Sequence, residues 1–175
     1  MKRSLFLWQL FGATFTAVVG TLLHFLFGIT ESFAVAPFSA INESTWDHMK
    51  ILFFPMLVFA FIQNPFFKKE YPNFWKVKLA GITLGALSIP VLFYTTIGIF
   101  GSSPAWLNVT FFFLADLVSY ALESYLYKKQ APSSKGSKLA LALLLFIALL
   151  FAVFTFYPPN VPLFQDPITG GYSFV

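Results

Sequence analysis

Five long apolar runs, each bounded by basic residues or by polar turns, set the pattern of this chain. The first extends from Ser4 to Gly28, behind Lys2 and Arg3. The second starts near Trp46 and stops at Lys68 and Lys69, and the third follows Lys76 and Lys78 and reaches Phe100. The fourth opens at Pro104 and closes at Lys128 and Lys129, and the fifth runs from Lys138 to Tyr157. A helix needs about 20 residues, at about 1.5 Å each, to cross a hydrocarbon core of about 30 Å. The pattern therefore predicts an all-α integral membrane bundle of five transmembrane helices, over 4–28, 46–67, 79–100, 104–127 and 138–157. A tail over 158–175 follows, and the whole of 1–175 reads as a single transmembrane domain.

Composition agrees with that solvent. Of 175 residues 58% are hydrophobic and 10% charged, and the mean hydropathy is +0.76. A soluble domain carries roughly 25% charged residues, so this chain has too few to cover a water-facing surface. Phe alone occurs 25 times. The absence of cysteine excludes disulfides, thiolate metal sites and thiol nucleophiles. The net charge of +4 comes from residues that punctuate apolar runs rather than forming a patch, so the partner it implies is a lipid bilayer and not nucleic acid.

Lys and Arg set the orientation. Alternate loops place Lys2, Arg3, Lys68, Lys69, Lys76, Lys78, Lys128, Lys129, Lys135 and Lys138 on one side, and only Lys50 on the other. The N-terminus is expected in the cytoplasm and the C-terminus outside. Trp75 on the inner side and Trp46, Trp106 and Tyr157 on the outer side suit headgroup depth. A cleaved signal peptide is the rival for the first run, with Ala34-Val35-Ala36 as its cut, but that run exceeds the usual 7–15 apolar residues. No internal repeat is visible, and five spans do not divide into two inverted halves. Gly81 and Gly85 form a G-x-x-x-G, read as a close helix contact within the chain.

Counting from the cytoplasmic boundaries gives each polar residue a depth. His24 and His48 fall at similar depth near the outer boundary of consecutive spans, and Tyr94 lies a turn inside it. The segment Asn42-Glu43-Ser44-Thr45-Trp46-Asp47-His48-Met49-Lys50 leads into the second span. Ser44 and Asp47 have the spacing of a capping box. One reading is a helix cap with a surface Asp47–Lys50 pair. The other is an outward-facing polar pocket built from His24, Glu43, Asp47, His48 and Lys50, with Asn42, Trp46 and Tyr94 beside it. His24, His48 and Glu43 are the candidate ligands of a divalent metal, although their spacing matches no recognised metal motif. Asp116 falls near the midplane of the fourth span, the most costly depth for a carboxylate. It reads either as a neutral helix-joining group or as a proton- or cation-responsive site. Thr14, Thr16 and Ser88 match its depth, and Gln9 matches Glu123. The tail, rich in Pro but carrying Leu163 and Phe164, is expected to fold back over the outer mouth and bring Asp166 toward the histidines.

The Asn42–Lys50 run, with Phe53-Phe54-Pro55 after it, resembles an uncharacterised family of small bacterial multi-pass membrane proteins. So does the closing run from Thr155 to Pro167 (TFYPPNVPLFQDP). The resemblance implies a protein of the bacterial cytoplasmic membrane and supplies no mechanism.

Three function classes stay open. The first is handling of a small solute or ion through the outer polar pocket. The second is a membrane-embedded metal-dependent hydrolase, with Glu43 or Asp47 as general base. The third is a non-catalytic accessory subunit, packed against a copy of itself or a partner membrane protein. No phosphate-binding Gly loop and no G-x-S-x-G elbow is present, which argues against nucleotide and serine-hydrolase chemistry.

Overall fold

The computed structural model describes residues 2–129 and 133–172. The last three residues of the expected tail lie outside them, and the side chains of residues 2 and 3 are likewise not described. Among the described residues there are five α-helices and no strand: α1 (Lys2–Thr30), α2 (Thr45–Phe67), α3 (Phe74–Phe100), α4 (Ala105–Lys129) and α5 (Ser137–Phe156), followed by a 3-10 turn at Pro162–Phe164. All five helices are long and apolar enough to cross a membrane. Four of them begin and end within two residues of the expected spans. The exception is α3, which starts at Phe74 rather than 79.

The first four helices form a ring in which each packs on the next and α4 closes onto α1; α5 lies outside, against α3 and α2. The most apolar stretch of α2 is 67% buried, against 17% for α1 and 22% for α5. Thus α2 is the central helix. The mean hydropathy of 2.9 in α5 therefore reflects a surface that meets lipid, not a core position. Phe59, on the inner side of α2, is fully buried and meets Trp8, Phe11 and Phe15 of α1. Phe53 and Phe54 meet Phe151 of α5 with ring centroids 5.0 and 6.1 Å apart. Pro55, Pro65 and Pro90 sit inside helices, which neighbouring helices make tolerable in a membrane bundle.

The G-x-x-x-G of α3 faces α4. A Cβ on Gly81 would stand 2.5 Å from Cγ of Glu123, and one on Gly85 would run into Oγ of Ser119 and sit 3.1 Å from the Ala115 carbonyl. The two backbones approach closely only because both positions lack a side chain. Gly101 ends α3 in the left-handed region, at φ 76°, where a Cβ is strained.

The tail folds back over one end of the ring. Phe164 is buried, its ring centroid 4.5 Å from that of Trp46 in a tilted contact and 5.6 Å from that of Phe154 edge-on. The Leu163 carbonyl accepts from Thr45 Oγ1 at 3.1 Å.

The glycine packing gives a stability prediction. Gly81→Ala should cost about 1–3 kcal/mol, as overpacking of a tight contact does. Gly98→Ala, which meets nothing within 4 Å, should be neutral or slightly stabilising on helix propensity. Unfolding of both variants in mixed micelles checks the contrast; equal effects would contradict the packing.

Candidate functional site

The loop from 31 to 44 is held against the bundle by one buried ion pair. Lys50 Nζ lies 2.7 Å from Asp47 Oδ1, and the two side chains are 0% and 3% exposed. Lys50 also donates to the Ala36 carbonyl and to Thr155 Oγ1 of α5, both at 3.0 Å. All three ammonium protons thus have acceptors, which burial of the charge requires. Asp47 Oδ2 accepts from the backbone N–H of Ile41 at 2.8 Å and of Asn42 at 3.1 Å. The Ala40 N–H reaches the Leu23 carbonyl of α1 at 3.3 Å. The pair therefore stitches loop, α2 and α5 together, and it lies inside the protein rather than on its surface.

Half of the expected capping box forms. Ser44 Oγ accepts from the Asp47 N–H at 3.3 Å. The Ser44 N–H bonds to Asn42 Oδ1 at 2.9 Å instead of to Asp47, because both Asp47 oxygens are engaged by Lys50 and the loop.

This clamp sets Glu43 above the two histidines. Glu43 Oε1 is 3.6 Å from His24 Nε2 and Oε2 is 3.5 Å from His48 Nε2; the imidazole centroids are 5.3 Å apart. One ligand atom from each of the three residues falls within 4.8 Å of the others. His48 Nδ1 lies 2.9 Å from the Ser44 carbonyl. A carbonyl only accepts, so Nδ1 carries a proton. In the neutral ring the Nε2 lone pair then points at the Glu43 carboxylate. His24 lowers the Glu43 pKa from the ordinary glutamate value, with His48 adding to the effect against partial burial.

The three residues border a cleft of about 620 Å³ between α1, α3 and α4, whose wall includes Ser102, Ser103, Asn108 and Ile168. An apolar recess leads inward past His24 and His48 to Ile51 and Phe112. Phe112 closes it by packing onto Gly20, where a Cβ would stand 2.5 Å from the ring.

The remaining candidates lie elsewhere. Asp166 turns into the tail, its Oδ1 accepting from the N–H groups of Ile168 and Thr169. Trp46 faces away from the cleft, between Phe151 and Phe164. Tyr94 reaches Thr45 Oγ1 at 3.4 Å, beside the tail. Asp47 and Lys50 position the loop. Asp116 is buried in the ring, eight residues along α4 from Asn108 or about 12 Å at the helical rise. Thr14 and Ser88 bond to their own helix carbonyls, and Thr16 bonds to Tyr120, so the depth-matched partners do not meet Asp116 through these bonds. Gln9, by contrast, donates to Glu123 at 3.1 Å.

Lys78 departs most from the sequence expectation. By chain position it belongs with the cytoplasmic lysines, yet it is fully buried and 2.6 Å from Glu123 Oε2. Two residues on a helix differ by about 200°, so Lys76 and Lys78 do not share a face. Gly81, three residues on, marks the face of Lys78 as an interhelical one. Nothing in the sequence marks Asn108 as part of the cleft wall.

Five membrane-length helices with polar groups gathered inside the ring fit a multi-pass membrane protein. The chain belongs to a family of unknown function, DUF6512, whose match covers residues 2–174. No curated protein and no solved structure matches it.

Two outcomes follow from the geometry. Lys50→Met should cost about 3–5 kcal/mol, since it strands the buried Asp47 charge. A fold as stable as wild type in micelle unfolding would contradict the clamp. Glu43, with its lowered pKa, adds stability at pH above the ordinary glutamate value, and that contribution is lost as pH falls through the folded value. Carbon-13 titration of glutamate-labelled protein should show the Glu43 midpoint moving upward in His24→Ala; an unmoved midpoint would contradict the pairing.

Proposed function

We propose that this protein handles a divalent transition cation at one membrane face, held in the cleft by His24, Glu43 and His48. The observation that carries the reading is the meeting of two acceptors. His48 Nδ1 is tied to the Ser44 carbonyl, so Nε2 offers a lone pair toward a carboxylate oxygen 3.5 Å away. Those atoms need a positive centre between them. Separations of 3.5 and 3.6 Å are long for hydrogen bonds. They are close to the edge of a tetrahedral site, about 3.3–3.4 Å for ligands about 2.0–2.1 Å from zinc. The Ser44 carbonyl on the far nitrogen is the outer support that metal-bound imidazoles commonly have.

Ion handling is favoured over hydrolysis by the engagement of Asp47, which leaves Glu43, itself a ligand, as the remaining carboxylate beside the histidines. The closed floor at Phe112 supports capture at the mouth rather than an open pore. The charge asymmetry supports an outward-facing cleft in the bacterial cytoplasmic membrane. With Lys50 and Lys78 both inside the bundle, the other nine Lys and Arg fall by chain position on the opposite side.

The test is metal binding by purified full-length protein, stripped with chelator and reloaded with Zn²⁺. Wild type should retain about one ion per chain, the content of a single three-ligand site. Each single His→Ala should weaken binding by more than the roughly 10–100-fold that loss of an outer-shell partner causes. Retention should fall as pH falls, because protons compete for the same nitrogens. Wild type that holds no more zinc than the folded His24→Ala, His48→Ala variant would overturn the reading, leaving a protonated imidazole as the positive centre.

A further inference from the structure

A second polar group lies deeper in the ring, built from all four of its helices. Glu123 of α4 and Lys78 of α3 are both fully buried, 2.6 Å apart. Gln9 of α1 donates to the same Glu123 oxygen at 3.1 Å. Gln63 of α2 donates to Gln9 Oε1 at 3.4 Å. The Lys78 ammonium also stands 5.3–5.8 Å from the ring centres of Tyr120, Phe74 and Phe59, an aromatic cage that suits a charged amine. Two helical turns along the same face of α4 is Asp116, 2% exposed, with an Oδ1 that has no hydrogen-bond partner among the described residues. Tyr120 stands between the two carboxyls and exchanges a hydrogen bond with Thr16 at 3.0 Å.

Charge counting decides the protonation. This interior holds one cation, Lys78, and two carboxyls, Glu123 and Asp116. The other buried lysine, Lys50, is matched by Asp47 at the cleft end. Two carboxylates sharing one counter-charge away from water do not both ionise. Glu123 takes the ammonium and the Gln9 amide, so the neutral member is Asp116. We infer that Asp116 is an intramembrane proton-binding site, whose proton is kept by the commitment of Lys78 to Glu123. The ligand is a proton, and the site is separate from the three ligands of the cleft. The charged and titratable groups that bear on it are Glu123 and Tyr120 on its own helix and Lys78 on α3.

Infrared spectroscopy tests this on the full chain in lipid. The chain has three aspartates, Asp47, Asp116 and Asp166, so carbon-13 labelling of the aspartate carboxyl isolates them without mutation. At neutral pH the expected result is a C=O band of one protonated aspartic acid per chain. It should be absent from Asp116→Asn and shift in heavy water, as an exchangeable proton requires. Should Asp116→Asn fail to fold, the labelled wild type still gives the answer. Lys78→Met removes the counter-charge, so a protonated glutamic acid band should appear as well. Carboxylate bands alone in the labelled wild type would overturn the inference. So would a protonated band that heavy water leaves unmoved, since the carboxyl would then be a sealed structural group.

Discussion

A charge inside a helix bundle surrounded by hydrocarbon persists only where a counter-charge or a proton meets it. That constraint orders the polar residues of this protein. The outward flanks of α1 and α5 are apolar, and both lysines that enter the bundle are paired with a carboxylate. Lys78 meets Glu123 and Lys50 meets Asp47, at 2.6 and 2.7 Å. Neither pair is an ornament of the surface, where an ion pair would add little. The first links α3 to α4, and the second ties the 31–44 loop and α5 to α2.

The two pairs do different work. Asp47 and Lys50 fix a loop, and the loop delivers Glu43 to His24 and His48, so the cleft geometry depends on an ion pair that does not line the cleft. Lys78 and Glu123 instead occupy one another and leave Asp116 over. Gly81 makes room for the second pair, since any side chain there would strike Glu123. Small residues at the α3–α4 contact thus serve the electrostatics as well as the packing.

The fold was largely legible in the sequence, because the signal for a membrane helix is length and hydropathy and both are strong here. The meeting of His24 with His48 followed from depth alone, as did Gln9 with Glu123. Depth fails where azimuth matters. Asp116 matched Thr16 in height, yet Thr16 turns to Tyr120. Lys78 looked like a boundary marker because hydropathy treats every lysine as wet, and only its 200° offset from Lys76 and its alignment with Gly81 hinted otherwise. The tail fold was foreseen from Leu163 and Phe164, while the path of Asp166 was not, because an Asp before Pro can close a turn on its own backbone. The engagement of Asp47 by loop amides likewise has no sequence signature, since loop geometry decides it.

The matched-charge account is tested most directly by a double-mutant cycle on the deeper pair, using Lys78→Met, Glu123→Gln and both together, with unfolding measured in mixed micelles. The account predicts that each single variant is less stable than the double, because each strands a buried group whose partner has gone, with a coupling of about 1–3 kcal/mol. Costs that simply add, with the double variant the least stable of the three, would contradict it.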